Sequence, residues 1–394
     1  MLESDENVNL DKPQKTKVGI ITILGVNNYG ADLQAFALYK KLDDLGFDSE
    51  IINYPFYKNS RYISEKKAKS KFSSSRITLV KDFILGVLDK LSKILNPSVA
   101  KVRSERFEEF KSKNMKFSKE YRSFSSLYSS THEYNVAIVG SDQVWNPNNP
   151  INLEPYFLTF IPKGVKKISY ASSFGVSEID IENYPSYYKM LNNLDEISTR
   201  EESGVKLIKA IADRTAEHVL DPTLLLEREE WLNFSKEIDL DEPYILLFVF
   251  KNSKFITSLA LELQRITGYK VVRICKNEMR VESDKKIINL RELGPSEFLG
   301  VYQKATFVLT SSFHGTVFAM IFEKPFYTVS LSSKNNNTRQ ESLLKLVGLE
   351  DRILYEGDSS VSPEFSSIDY TNVNTILSVQ REKSISFLKR VVKK

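Results

Sequence analysis

Residues 17–54 read KVGIITILGVNNYGADLQAFALYKKLDDLGFDSEIINY. The run 17–23 is apolar and rich in β-branched side chains, the composition of a strand buried on both faces of a parallel sheet. A polar, glycine-containing turn, LGVNNYGA, follows. From about Asp32 onward Leu33, Phe36, Ala37 and Leu42 recur at helical spacing, and Gly46 stands where a helix stops. FDSEIINY (47–54) reads as the next strand. Strand, glycine turn, helix and strand make a βαβ opening.

The same grammar continues along the chain. NVAIVGSD (135–142), KKISYASSF (166–174) and EISTREES (196–203) carry the parallel pattern, with a helix near 184–194, and EHVLDPTLLL (217–226) closes the first half. Polarity around IDLDEP (238–243), with Pro243, marks a linker. YILLFVF (244–250) opens a second half. It predicts a helix over 255–267, strand KVVRIC, a helix around 295–303, strand TFVLTS (306–311), a helix from about Gly315 and strand PFYTVS (325–330). Residues 371–394 form an amphipathic Lys/Arg-rich helix expected to pack back on the first half. The expected organisation is α/β, with two doubly wound, Rossmann-like domains and a cleft between them. A polar, disordered tail occupies 1–16, the N-terminal domain 17–240 and the C-terminal domain 241–370. Ligands of such sheets bind outside the carboxyl ends of the strands.

Length and composition agree. At roughly 150 residues per domain, 394 residues predict two domains. Hydrophobic residues at 41% and charged residues at 27% suit a soluble globular chain and exclude fibrous or wholly disordered ones. Cys275 is the single cysteine, which excludes a disulfide framework and fits a reducing compartment. His132, His218 and His314 lie far apart in sequence, so no local histidine metal motif exists. The N-terminal residues lack a signal-peptide core and no run approaches a membrane span, which predicts a cytoplasmic protein. The net charge of +4 makes no case for nucleic acid. Within the helical insertion 56–131, however, residues 56–125 hold 18 Lys/Arg against 7 Asp/Glu, an excess of 11. Such a segment reads as a solvated helical face, or as a peripheral contact with anionic membrane.

Four strand-end loops carry the candidate chemistry. In TSSFHGTVF, Ser311, Ser312 and His314 precede or open a helix at Gly315 and Thr316, an anion-ready junction with a proton carrier. The alternative is that the serines cap the helix and His314 braces the loop. GSDQVWNPN offers Asp142, Gln143, Trp145 and Asn146, an aromatic plate with amides for a sugar, or else an Asp turn with a buried Trp. VNNYGA, with Asn28, Tyr29 and Gly30, allows close backbone approach but lacks the full dinucleotide fingerprint. STREES places Arg200 where it can fork onto an anion or pair with Glu201 or Asp221.

Taken together, VGIITILGVNNYGADLQAFALYKKL, AIVGSDQVWNPN, ISYASSFG, ISTREESG, VLDPTLLL and VLTSSFHGTVFAMIFEKPF resemble, in order, the polysaccharide pyruvyl transferase family. The resemblance covers roughly residues 17–350. It implies a GT-B-type architecture and transfer of pyruvate from phosphoenolpyruvate to two hydroxyls of a sugar, as a ketal, in a bacterial surface polysaccharide or its lipid-linked precursor. No cofactor beyond that donor substrate is implied. His314 matches the family's loop histidine as acid/base, and Arg200 its arginine after an N-domain strand. Asp142 is expected to orient the sugar, and Asn28, Tyr29, Gly30, Gln143, Trp145 and Asn146 to line the acceptor side. Lys324 matches a later basic residue. Several relatives carry Arg-Leu-His where this chain has Ser312-Phe313-His314, so Lys324, Arg339 or the serines must replace the missing cation at the donor. The alternatives are a nucleotide-sugar glycosyltransferase, with Glu341 or Asp284 as ribose partner, or a non-catalytic carbohydrate-binding relative.

Overall fold

The computed structural model describes residues 15–55, 94, 96–149, 152–240, 243–249, 253–275, 281–330, 338–357 and 365–393. Most of the basic stretch 56–125 of the insertion lies outside them.

The first half holds strands β1 Lys17–Ile21, β2 Asp48–Ile51, β3 Val136–Val139 and β4 Lys166–Ser169. They form a parallel sheet in the order β2-β1-β3-β4. A short parallel pair, β5 Ser198–Thr199 and β6 Glu217–His218, extends it through bridges at Ile168–Glu196 and Ser172–Thr199. Its helices are α1 Tyr29–Asp44, α2 Pro97–Asn114, α3 Phe124–Tyr128, α4 Tyr184–Leu191, α5 Glu202–Ala212 and α6 Arg228–Leu232.

The second half holds β7 Tyr244–Phe248, β8 Lys270–Ile274, β9 Ile287–Leu290, β10 Phe307–Thr310, β11 Phe326–Ser330 and β12 Ile353–Tyr355. All are parallel, in the order β12-β11-β10-β7-β8-β9, the doubly wound order of a Rossmann sheet. Helices α7 Lys254–Thr267, α8 Pro295–Lys304, α9 Phe313–Ile321, α10 Thr338–Val347 and α11 Tyr370–Val392 accompany it. The chain order reverses between β1 and β3 in one sheet and between β7 and β10 in the other. The two switch points are joined where the first turn of α1, after β1, meets the first turn of α9, after β10, at Gly30 and His314.

Three differences from the sequence reading bear on the site. Helix α1 begins at Tyr29 instead of Asp32, because the Asn28 side chain accepts the Gly30 N–H at 3.1 Å and caps it there. Helix α9 likewise starts at Phe313, two residues before Gly315, with Ser312 as its cap. The segments 196–203 and 217–226 contribute only two strand residues each. Glu202 already opens α5, and Asp221-Pro222 turns the chain into a single 3-10 turn.

The seam between the halves is apolar over much of its extent. One core cluster runs from Leu33, Phe36 and Leu38 of α1 through Trp231 to Phe248, Phe298 and Phe318 of the second half. Tyr29 belongs to it: its ring stacks on Phe298 at 4.6 Å and meets Phe248 edge-on at 5.9 Å. Arg103 of α2 ties the halves, donating to the Tyr29 hydroxyl at 2.7 Å and the Cys275 carbonyl at 3.0 Å. Helix α11 runs back along the first half with Leu377, Phe387, Leu388 and Val391 in the shared core. Its Ser384 Oγ accepts the Leu220 N–H at 3.0 Å, and Arg381 donates to the Leu224 carbonyl at 2.9 Å. The C-terminal helix therefore braces both sides of Asp221. No helix among the described residues is long and apolar enough to cross a membrane.

Candidate functional site

Asp221 is the centre of the cluster at the seam. It follows the short strand β6 and caps the turn 222–225, with Oδ1 accepting from the Thr223 N–H at 3.0 Å and hydroxyl at 2.6 Å. Its other oxygen receives Arg200 Nη1 at 2.6 Å and Ser141 Oγ at 3.1 Å, and faces His314 Nε2 at 3.6 Å. Burial alone would raise this carboxyl's pKa. His314, Arg200 and Thr223 outweigh burial and hold it well below the usual carboxylate range. One carboxylate thus fixes an arginine from the first half and a histidine from the second.

His314 occupies the first turn of α9, buried to 7% exposure. Its Nε2 has no hydrogen-bond partner, and 3.6 Å to Asp221 is an ion-pair distance, too long for a hydrogen bond. The other face of the ring meets α1. A Cβ built on Gly30 would stand 2.1 Å from His314 Nδ1. Glycine is required at position 30 by this approach, since its backbone is ordinary helix. Asn28, which caps the same turn, sits beside it.

Arg200 is as deeply buried and is surrounded by carboxylates. Besides Asp221, Asp142 Oδ1 lies 3.6 Å from Nη2 and Glu201 Oε2 lies 4.0 Å from Nε. Burial works against its charge, but these three acids overcome it and raise its pKa. Its guanidinium carbon also lies 4.4 Å from the centre of the Phe313 ring. Glu201 is held in turn by Ser173 Oγ at 2.8 Å and the Phe174 N–H at 3.0 Å. Asp142 has φ +73, a left-handed conformation that aspartate tolerates better than most residues, and its Oδ1 accepts the Gln143 N–H at 2.9 Å.

A second guanidinium completes the group. Arg339, from the start of α10, lies 5.7 Å from the same Phe313 ring. With the Gln143 amide turned so that its oxygen faces the arginine, Gln143 accepts from Nη1 at 3.0 Å and Nη2 at 2.6 Å. Asn146 packs against the same Gln143 amide.

Other expected site residues stand elsewhere. Trp145 offers no plate to a sugar: it is fully buried, stacked on Phe157 at 4.9 Å, and its indole N–H donates to the Tyr156 carbonyl at 2.7 Å. Tyr29 is not open to an acceptor either. Its hydroxyl donates to the Leu293 carbonyl at 2.9 Å, and burial pushes its pKa to about 12. Lys324 is separated from the cluster by the length of α9, whose nine residues span about 13 Å. It lies beside Arg228 and Glu323, with its carbonyl accepting from the Tyr370 hydroxyl at 2.7 Å. Burial lowers its pKa.

Around the α9 start, Ser312 Oγ accepts the Gly315 N–H at 3.2 Å, and Thr316 Oγ1 shares a 2.6 Å hydrogen bond with Thr328. Gly315 is there because a Cβ would meet Thr310 Oγ1 at 2.1 Å. These three residues build the junction. Ser311 lies at the strand end, its N–H donating to the Phe248 carbonyl at 3.3 Å.

Sequence reasoning left Asp221 as one optional partner of Arg200 and did not single out Phe313. The signal for Asp221 was Asp-Pro directly after a strand, at the end of the sheet where ligands bind. Nothing in the sequence marked Phe313 as the ring beside two arginines.

Two Rossmann-like sheets, with a histidine, two arginines and three carboxylates where the halves meet, make a two-domain α/β architecture of GT-B type. The chain belongs to the polysaccharide pyruvyl transferase family, whose model matches residues 28–333. No curated protein matches it. Solved structures resemble it at low identity. The UDP-GlcNAc 2-epimerase of Methanocaldococcus jannaschii, in complex with UDP-GlcNAc and UDP, is 12% identical with a TM-score of 0.45, covering 95% of this chain and 99% of that one. Arabidopsis thaliana UGT89C1 is 11% identical with a TM-score of 0.49, covering 96% and 100%. The UDP-GlcNAc 2-epimerase of Neisseria meningitidis bound to UDP-GlcNAc is 11% identical with a TM-score of 0.45, covering 96% and 94%.

Proposed function

We propose that this pyruvyl transferase takes pyruvate from phosphoenolpyruvate and sets it as a ketal across two hydroxyls of a sugar in a surface polysaccharide or its lipid-linked precursor. The observation that carries the reading is the juxtaposition of His314 with two guanidiniums, buried Arg200 and half-buried Arg339, beside the Phe313 ring. A proton carrier beside cations is what an enol phosphate needs, because its carboxylate and phosphate must be held while its methylene carbon is protonated.

In this mechanism His314, oriented by Asp221 at Nε2, delivers a proton from Nδ1 to the methylene carbon. The first sugar hydroxyl adds to the adjacent carbon and gives up its proton through His314 or Asp142. The C–O bond to phosphate then breaks, and phosphate departs with the bonding pair. The second hydroxyl captures the resulting oxocarbenium-like centre and closes the ketal. Of the two hydroxyl protons, one ends on the new methyl group and the other on phosphate. Asp142, whose side chain is 15% exposed and accepts the Gln143 N–H, aligns the hydroxyls in this reading.

The test is direct. The purified chain is incubated with phosphoenolpyruvate and a panel of lipid-linked and free oligosaccharides, and products are read by mass spectrometry with phosphate release in parallel. A pyruvate ketal with stoichiometric phosphate supports the reading. Activity with nucleotide sugars alone, or binding of sugar without turnover of any donor, overturns it.

A further inference from the structure

We propose that Arg339, and not an arginine in the histidine loop, is the receptor for the ligand's anionic group in this protein, with the Gln143 amide holding its guanidinium in position. The inference deepens the donor reading above and rests on it only for the ligand's name. Its basis is the unequal state of the two guanidiniums that flank Phe313.

Arg200 is already neutralised. Asp221 meets it at 2.6 Å, and Asp142 and Glu201 stand at 3.6 and 4.0 Å. An incoming anion would have to compete with a buried carboxylate that is itself fixed by Thr223 and Ser141. Arg339 has no carboxylate within ion-pair distance among the described residues. Its two terminal nitrogens rest on the neutral Gln143 amide, and its Nε is enclosed without a hydrogen-bond partner. An amide solvates a cation but does not cancel its charge, and an uncompensated charge away from water is costly. The three acids around Arg200 act on Arg339 from farther off. Burial and the like charge of Arg200 outweigh them and pull the Arg339 pKa down to about 10. A compact anion at Arg339 relieves both penalties, whereas at Arg200 it would face three carboxylates.

Chemistry also favours this arginine. A guanidinium presents paired N–H groups to a carboxylate or phosphate, and the two hydrogen bonds now given to one amide oxygen would go to two anionic oxygens. The Phe313 ring lies beside both guanidiniums, at 4.4 Å from Arg200 and 5.7 Å from Arg339. The ligand class is a small carboxylate or phosphate anion. The position supplies from α10 the cation that Ser312 does not supply in the loop.

Calorimetry on the full chain tests the assignment, using inorganic phosphate and phosphoenolpyruvate separately against wild type, Arg339→Met, Arg339→Lys and Gln143→Glu, with circular dichroism as the folding control. Arg339→Met is expected to weaken both anions by roughly tenfold or more, with Arg339→Lys intermediate. Gln143→Glu places a carboxylate against Arg339 and is expected to weaken both anions similarly without lowering the melting temperature. Unchanged phosphate affinity in folded Arg339→Met, or tighter phosphate binding in Gln143→Glu, overturns the proposal, as does a wild type that binds neither anion. Wild type that binds phosphate through Arg339 but not phosphoenolpyruvate upholds this assignment and defeats the donor reading instead.

Discussion

Oδ2 of Asp221 receives Arg200 at 2.6 Å and faces Nε2 of His314 at 3.6 Å, so one oxygen ties an arginine of the first half to the histidine on which the proposed chemistry depends. In the proposed mechanism the carboxylate favours a proton on Nε2, and Nδ1, beside Gly30, is the nitrogen that exchanges protons with the substrate. Asp221→Asn keeps the shape and loses the charge. Turnover is expected to fall by roughly 10²-fold or more, the usual worth of a positioned acid/base. Because the Asp221 pKa is depressed on folding, its stabilisation is present above about pH 4 and is lost as pH falls further, towards its folded value. The stability gap between wild type and variant should therefore be full at neutral pH and close only in stronger acid. Turnover within threefold of wild type, by phosphate release, would show that His314 needs no orienting carboxylate.

Gly30 brings the first half of the chain against the histidine of the second. A methyl group there would overlap the imidazole, so either the ring leaves Asp221 or α1 withdraws. Since a misplacement of about 1 Å in a reacting group can cost 10²-fold, Gly30→Ala should lose roughly that much turnover. The accompanying destabilisation is expected to be about 1–3 kcal/mol, typical of overpacking. Paired measurements of turnover and denaturant midpoint check this. A variant with wild-type turnover would mean that the contact opens before chemistry.

Lys324 provides the contrast. It lies past the C-terminal end of α9, while His314 lies in its first turn. Lys324→Ala should leave phosphoenolpyruvate affinity within about threefold of wild type, as for substitutions away from a site. A large loss of donor affinity, by calorimetry, would require a donor pose that spans the whole helix.

What the sequence disclosed follows the range of the forces involved. Strands buried on both faces, such as Val136–Val139 and Tyr244–Phe248, announce themselves because every position is apolar. The edge strands β9 (IINL) and β12 (ILY) do not, since they are short and partly exposed. Placement at strand ends brought His314, Arg200, Asp142 and Gln143 into one list, and the structure places them together. Lys324 could have been set apart by arithmetic, because ten residues of chain beyond His314, mostly helix, carry it to the opposite pole. Trp145 and Tyr29 were unreadable for another reason. An aromatic ring after a strand suits a sugar plate and a core equally, and only the partners Phe157 and Phe298, distant in sequence, decide between them.

Asp32 gives the last test, which concerns the helix that carries Gly30. It sits in the first turn of α1, fully buried, with neither carboxylate oxygen hydrogen-bonded. Burial raises its pKa to about 7, with Glu108 adding to the effect and Lys111 and Arg103 opposing it. The helix N-terminus also favours the ionised form, but by at most about 2 kcal/mol, too little to undo burial. A folded pKa above the unfolded value means that stability is greatest below about pH 4 and declines as pH rises to about 7, by up to ~4 kcal/mol at 1.36 kcal/mol per unit. Above pH 7 the wild type folds with a buried, unpartnered carboxylate. Asp32→Asn removes that burden, so it should be the more stable protein at pH 8, and the difference should vanish or reverse at pH 5. Urea unfolding at both pH values decides the matter. Parallel curves with a constant offset would mean that Asp32 keeps a partner or water that stabilises its charge, and that the start of α1 is indifferent to pH.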